Sequence, residues 1–246
     1  WSCGGGSALS YPARYLFRFL DHHGMLRVTG SPQWYSVVGG SRTYVDRLGA
    51  LLPDIRAGRA VTDVRRLADG VHVRDVTGVV STFDRVVLAT HADQALELLV
   101  DPTDDEVTTL KAFRYTPNRT VLHTDAALLP EAGGARASWN YRMASCDLRD
   151  QPPVVTYWMN RLHRLRSADQ FLVTLNDEER IDPVTVRAVM AYEHPAYTVD
   201  AVRAQARLGA LATERTVYAG AYHGWGFHED GCRSGVEAAR HFGVDW

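Results

Sequence analysis

The most constraining stretch of this chain lies near its C-terminus. A short apolar strand, Val217-Tyr218-Ala219, stops at Gly220 and runs through Ala221-Tyr222-His223-Gly224-Trp225-Gly226-Phe227-His228-Glu229-Asp230. A helix then opens at Gly231-Cys232-Arg233-Ser234-Gly235. Strand, glycine-rich turn and helix start in succession belong to α/β architecture. A helix N-terminus carries unpaired N–H groups and a partial positive charge, and glycines there let an anionic or electron-rich ligand reach the backbone. Two readings stand at this point. The turn cradles a ligand, or it is an ordinary strand-to-helix connection with Ser234 capping a helix from Val236 to Arg240.

With 246 residues, 46% of them hydrophobic, the chain can bury a sizeable core in one large or two modest domains. A net charge of -2 from 27 basic and 29 acidic residues offers no basic field for a phosphate backbone, which argues against a nucleic-acid partner. Apolar runs stay too short to span a bilayer and no signal peptide is visible, so a cytoplasmic protein is expected. Cys3, Cys146 and Cys232 are odd in number and far apart, which suits reduced thiols. The sequence begins at Trp1 and passes at once into a helical pattern, as expected of a fragment that lacks an N-terminal part.

Along the chain, Tyr11, Tyr15, Leu16, Phe19 and Leu20 recur at helical spacing. Val37-Val38 reads as a short strand, followed by Gly39-Gly40-Ser41-Arg42 and an amphipathic helix to Leu52, a second place where backbone is open to close approach. Residues 55 to 88 read as β-rich, with a hairpin at Asp69-Gly70 and a turn at Thr77-Gly78. The unbroken apolar run Val86-Val87-Leu88 predicts a parallel strand covered on both faces. Helices follow over 92–100 and 103–113, the second capped by Thr103 ahead of Asp104, Asp105 and Glu106. Beyond Pro117 the pattern alternates as antiparallel strands at 119–123, 137–141, 154–160 and 171–175, with a short helix near 160–165 and weaker segments at 183–190 and 199–211.

The order of these pieces resembles the flavin-containing amine oxidase superfamily, and most of all the bacterial FAD-dependent, amine-oxidase-like oxidoreductases. The likeness rests on Trp34 to Arg42 with its helix, the hairpin around Val61, Phe83 to His91, and the terminal Ala219-Gly220 and Gly231-x-x-Ser234-Gly235 turn. It implies a mixed α/β fold: an FAD/NAD(P)-binding Rossmann-like domain interleaved with a substrate domain on a mixed, largely antiparallel sheet. Residues 39–93 and 213–246 then belong to the FAD domain, and 1–38 and 94–212 to the substrate domain. The resemblance further implies non-covalent FAD held by Gly39, Gly40, Ser41, Arg42, Val61, Thr90, Gly220, Ala221, Glu229, Gly231, Ser234 and Gly235. Val61 would pair with the adenine, Thr90 would pass near the dinucleotide, and the amides of 229–235 would meet the flavin's pyrimidine edge.

Three departures from the family pattern bear on function. The Gly-x-Gly-x-x-Gly fingerprint is absent from these residues. Where many amine oxidases hold a lysine near flavin N5, this chain reads Pro117-Asn118-Arg119-Thr120, which leaves dehydrogenase or desaturase chemistry open. No cysteine stands where covalently flavinylated members attach the ring.

Among other constellations, His223, His228, Cys232 and His241 lack a zinc spacing, and no metal is expected. No Gly-x-Ser-x-Gly elbow supports a serine hydrolase. Tyr222, Trp225, Phe227 and His228 either line a substrate cavity or pack as core. The same choice holds for Trp139-Asn140-Tyr141 and Tyr157 to Asn160, and Lys111 and His22-His23 read as surface. The expected function is an FAD-dependent oxidoreductase that takes a hydride from a C–N or C–C bond of a small amine or hydrophobic molecule, with a small-molecule substrate as its partner. The alternatives are a lipid or isoprenoid desaturase or isomerase on the same fold, and a non-catalytic module without flavin.

Overall fold

Where the Asp69-Gly70 pair signals a hairpin, the computed structural model turns the chain at Ala68-Asp69 and starts a new strand at Gly70. Residues 11–30, 32–143 and 154–245 are described; Cys3, Cys146 and the opening Trp1 to Ser7 stretch lie outside them. The elements are α1 (Ala13–His22), α2 (Arg42–Gly49), β1 (Val61–Leu67), β2 (Gly70–Asp75), β3 (Val80–Phe83), β4 (Val86–Leu88), α3 (Ala92–Leu98), α4 (Asp104–Leu110), β5 (Arg114–His123), β6 (Trp139–Arg142), β7 (Val154–Trp158), α5 (Met159–His163), β8 (Leu172–Leu175), β9 (Val186–Ala196), α6 (Val199–Gln205), β10 (Thr216–Tyr218) and α7 (His228–His241). The fold is mixed α/β, in two compact units: residues 12–114 with 197–246, and residues 115–196 with Tyr11.

In the first unit β1, β2 and β3 form an antiparallel sheet, with Val64 opposite Val73 and His72 opposite Thr82. At Gly70 a Cβ would lie 2.8 Å from the Phe83 carbonyl oxygen, so the hairpin needs glycine there. β4 and β10 pair in parallel, with Val217 opposite Val87 and Tyr218 opposite Leu88. α7 packs on β10 through Val217, Ala219 and Ala238, with Ala212 and Phe242 against them. This parallel pair comes from segments some 130 residues apart, which a crossover topology supplies.

A buried charge cluster joins β1, α4 and β10. Glu106 closes a capping box with Thr103: the Glu106 amide donates to Thr103 Oγ1 at 3.2 Å and the Thr103 amide donates to Glu106 Oε2 at 2.8 Å. Its carboxylate also accepts from Arg66 Nη1 and Nη2 and, at 2.7 Å, from the Tyr218 hydroxyl. Burial alone would raise the Glu106 carboxyl, but the Arg66 hydrogen bond, the Thr103 amide and the Tyr218 hydroxyl outweigh it and hold the carboxyl below its ordinary value. Burial and the neighbouring Glu106 push the Tyr218 phenol well up.

The second unit is built on a five-stranded sheet in the order β6-β7-β8-β5-β9. One buried row of it is polar: His123 Nε2 lies 2.8 Å from Thr174 Oγ1, which lies 2.9 Å from Thr156 Oγ1. Asn118, 1% exposed, donates to the Thr116 carbonyl and to His194 Nδ1 and accepts from Asn176. Both side-chain polar atoms of Asn118 thus have partners, as burial demands.

Three readings of the sequence need correction. Val37-Val38 is not a strand: both valines are exposed, no strand among the described residues pairs with them, and Gly39 and Gly40 turn with φ of 81° and 83°. β4 is not covered on both faces, since Val87 is 41% exposed. Among the described residues β4 has β10 as its only sheet partner, and its other side borders an open groove. The C-terminal helix starts at His228, three residues before Gly231.

Candidate functional site

The early start of α7 has a local cause. Asp230, 4% exposed, turns its carboxylate back over the helix start, where Oδ2 accepts from the Trp225 amide at 2.9 Å and the Phe227 amide at 3.1 Å. Arg233 Nη2 donates to Oδ1 at 2.8 Å. The Gly231 amide already bonds to the Phe227 carbonyl, so the helix amides with no intrahelical acceptor are those of His228, Glu229 and Asp230. Amides from Gly231 to Gly235 lie inside the helix.

Ser234 is no cap but a tie. Buried in the middle of α7, its hydroxyl accepts from the Gly220 amide at 2.9 Å and stands 2.8 Å from the Gly231 carbonyl, so the end of β10 is bonded to the first turn of the helix. A Cβ on Gly220 would come within 2.5 Å of the Tyr222 ring, which folds back under the turn. Gly226, at φ 87°, has Tyr197 directly beneath it, and a Cβ there would overlap the phenol oxygen. Glycine is required at both places by the chain's own packing.

The aromatic residues of the turn pack on neighbouring helices. Tyr222, 3% exposed, lies against Phe113 with ring centres 5.2 Å apart. Trp225 lies against Tyr15 of α1 at 4.5 Å, with the Arg18 guanidinium 5.9 Å from its ring centre. Phe227 lies against Phe19 and His23. His228 is exposed at the first position of α7. From beneath, the Tyr15 hydroxyl donates to the Gly224 carbonyl, while Gln205 Nε2 donates to the carbonyls of Tyr222 and Gly224. Tyr15, Tyr197, Gln205 and Asp230 therefore set the shape of the turn, and sequence reasoning singled out none of them for it. Only Asp230 had a local signal, a carboxylate in the first turn after an aromatic-glycine loop.

His223 Nε2 is buried without a hydrogen-bond partner, and burial, with Arg233 nearby, lowers its pKa to about 4. Beside the β4–β10 pair, β1, β4 and α3 enclose an open groove of about 760 Å³ that brings Val61 and Thr90 together with Val64, Val87, Leu98 and Glu97. Gly39, Gly40, Ser41 and Arg42 are exposed, and their hydrogen bonds are to Val37, Thr43, Val45 and Asp46 within the same segment. Among the described residues no three His, Cys, Asp or Glu side chains are placed to share a metal ion, and no helix is long and apolar enough to cross a membrane. Cys232 is an exposed free thiol.

The FAD that the resemblance implies fits these residues at two places. The groove is largely apolar and of ligand size, as an adenosine moiety requires. The turn offers the open amides at the start of α7.

Comparison with known proteins bears on the same point. No curated protein matches the chain. The structure of a conjugated-linoleic-acid-producing fatty acid isomerase from P. acnes is similar, with a TM-score of 0.65 at 17% identity over 95% of this chain and 59% of that one. A putrescine oxidase variant with redesigned cofactor binding is similar with a TM-score of 0.55 at 13% identity, over 83% of this chain and 53% of that one. The chain thus spans little more than half the length of these structures. The family described as flavin containing amine oxidoreductase matches residues 2–241. The chain belongs to the flavin-containing amine oxidoreductase family.

Proposed function

We propose that this chain serves an FAD-dependent oxidoreductase acting on a small amine or hydrophobic substrate, with residues 39–93 and 213–246 on the cofactor side and the remainder on the substrate side. One observation carries the reading: the parallel β4–β10 pair ends in a glycine turn that Ser234 bonds to the amide-bearing start of α7. Bound there without a covalent link, FAD would supply the acceptor for a hydride from a C–N or C–C bond. The open amides of His228 and Glu229 favour negative charge placed before them, and Asp230 holds the turn in that arrangement. Val61 and Thr90 line the groove for the adenine end. Trp225 and Phe227 flank the turn with aromatic surface.

Dehydrogenation or desaturation is favoured over oxidase chemistry by the stretch that aligns with the lysine of many amine oxidases. Asn118 is buried with its amide committed to Thr116, His194 and Asn176, and Arg119 is ion-paired with Glu178. Neither offers a free ammonium. Anaerobic mixing with a panel of amines and unsaturated fatty acids tests the reading. A panel member is expected to bleach the flavin, with slow return of colour on admission of oxygen. A flavin that no member bleaches refutes the proposed reaction, and immediate reoxidation refutes the preference for dehydrogenase chemistry.

A further inference from the structure

His223 sits in the turn between Tyr222 and Gly224, its ring 4.8 Å from that of Tyr222, and its backbone is fixed by a bond from its amide to the Gly220 carbonyl. Several backbone groups of the turn are bonded to side chains. Asp230 accepts the Trp225 and Phe227 amides, Ser234 accepts the Gly220 amide, and Tyr15 and Gln205 donate to the Gly224 carbonyl. Nε2 of His223 is a buried ring nitrogen with no hydrogen-bond partner. A buried polar atom left unpaired destabilises the folded chain, so a turn that retains an imidazole nitrogen in that state has a reason outside its own stability.

We propose that His223 is a ligand-binding residue of this turn, and that Nε2 is completed by a hydrogen bond to an uncharged polar group on the isoalloxazine–ribityl portion of the bound dinucleotide, not to its phosphates. The inference rests on the flavin reading above. The chemistry of the partner follows from the state of the ring. Burial, and then the Arg233 guanidinium, keep the imidazole neutral down to about pH 4, so it brings no charge to meet a phosphate. A neutral imidazole matches a hydroxyl, a ring N–H or a carbonyl, which are the groups a flavin carries away from its phosphates. The nearest formal positive charge, on Arg233, is already engaged by Asp230.

The experiment uses the full chain, its His223→Phe and His223→Gln variants, and three probes: FAD, riboflavin and ADP. Affinities are read by flavin fluorescence and calorimetry, and ligand-free stability by thermal melting. Loss of one buried neutral hydrogen bond predicts that His223→Phe weakens FAD and riboflavin about tenfold and leaves ADP unchanged. Ligand-free His223→Phe should melt at or above the parent temperature, because an unpaired nitrogen has been replaced by carbon. His223→Gln should retain most of the affinity. This opposition between stability and affinity separates a ligand-binding residue from a merely structural one. Unchanged FAD affinity in His223→Phe overturns the proposal, as do equal losses for FAD and ADP, or a lowered melting temperature with no loss of riboflavin. A parent chain that binds none of the three probes overturns the flavin reading itself, a different result from a flavin-binding chain indifferent to His223.

Discussion

Replacing Asp230 with alanine should be among the most damaging single changes in the C-terminal turn. The carboxylate is 4% exposed and accepts two backbone amides, from Trp225 and Phe227, that have no other acceptor described. Loss of a helix-capping acceptor costs about 1 kcal/mol. Loss of the second bond, from a buried amide to a charged acceptor, costs about 1.5–3 kcal/mol. The Arg233 side chain is half exposed, so its ion pair adds little. The total is about 2.5–4 kcal/mol, which lowers the melting temperature by roughly 5–15 °C in a chain of this size. Asp230→Asn keeps an acceptor oxygen and should lose about half as much. Urea denaturation gives the free energies, and hydrogen exchange at the Trp225 and Phe227 amides shows where the change falls. If Asp230→Ala stays within about 0.5 kcal/mol of the parent, or if those two amides keep their protection, the carboxylate does not hold the turn and the reasoning fails.

Other expectations are as direct. Because the folded Glu106 carboxyl titrates below its ordinary value of about 4.3, its contribution is fully present above that pH and is lost as pH falls through the lower folded value. Stability should therefore decline in acid more steeply in the parent than in Glu106→Gln. At neutral pH that variant should lose about 3 kcal/mol by leaving Arg66 without its buried partner, as denaturation curves across pH will show. Gly226→Ala meets both a left-handed φ and the Tyr197 phenol, and should destabilise by at least about 1 kcal/mol, measured by thermal melting. Val61→Arg places a long charged side chain at the groove; it should weaken FAD binding at least about tenfold in calorimetry while shifting stability little, since Val61 is 38% exposed.

The parts of this structure legible in the sequence are those with local causes. Thr103 followed by Glu106 is a capping box in sequence and in space, and Asp69-Gly70 marks a hairpin because few residues suit that turn. The Val86-Val87-Leu88 run announced a parallel strand, and β4 is one, but its burial depends on what lies beside it and no run of valines encodes that. Val37-Val38 failed for a related reason, as a strand needs a partner as well as propensity. β9 was only weakly visible because it is half-exposed and contains Pro195, which blurs the alternation. In the candidate site the glycines were readable, but the residues that shape the turn were not. Tyr15 and Gln205 reach the Gly224 carbonyl from 209 and 19 residues away, and such contacts leave no spacing signature. His223 drew notice only as a metal ligand that lacked the spacing; its distinguishing property, a buried nitrogen without a partner, exists only in the folded chain.

The most direct test of the central claim is a titration of the purified, folded protein with FAD, followed through its visible absorption and flavin fluorescence. Saturable binding, with a perturbed flavin spectrum that is lost in Asp230→Ala, is the predicted result. A folded chain that leaves the flavin spectrum unchanged at saturating FAD would contradict the claim that the Gly220 turn and the start of α7 form a cofactor site.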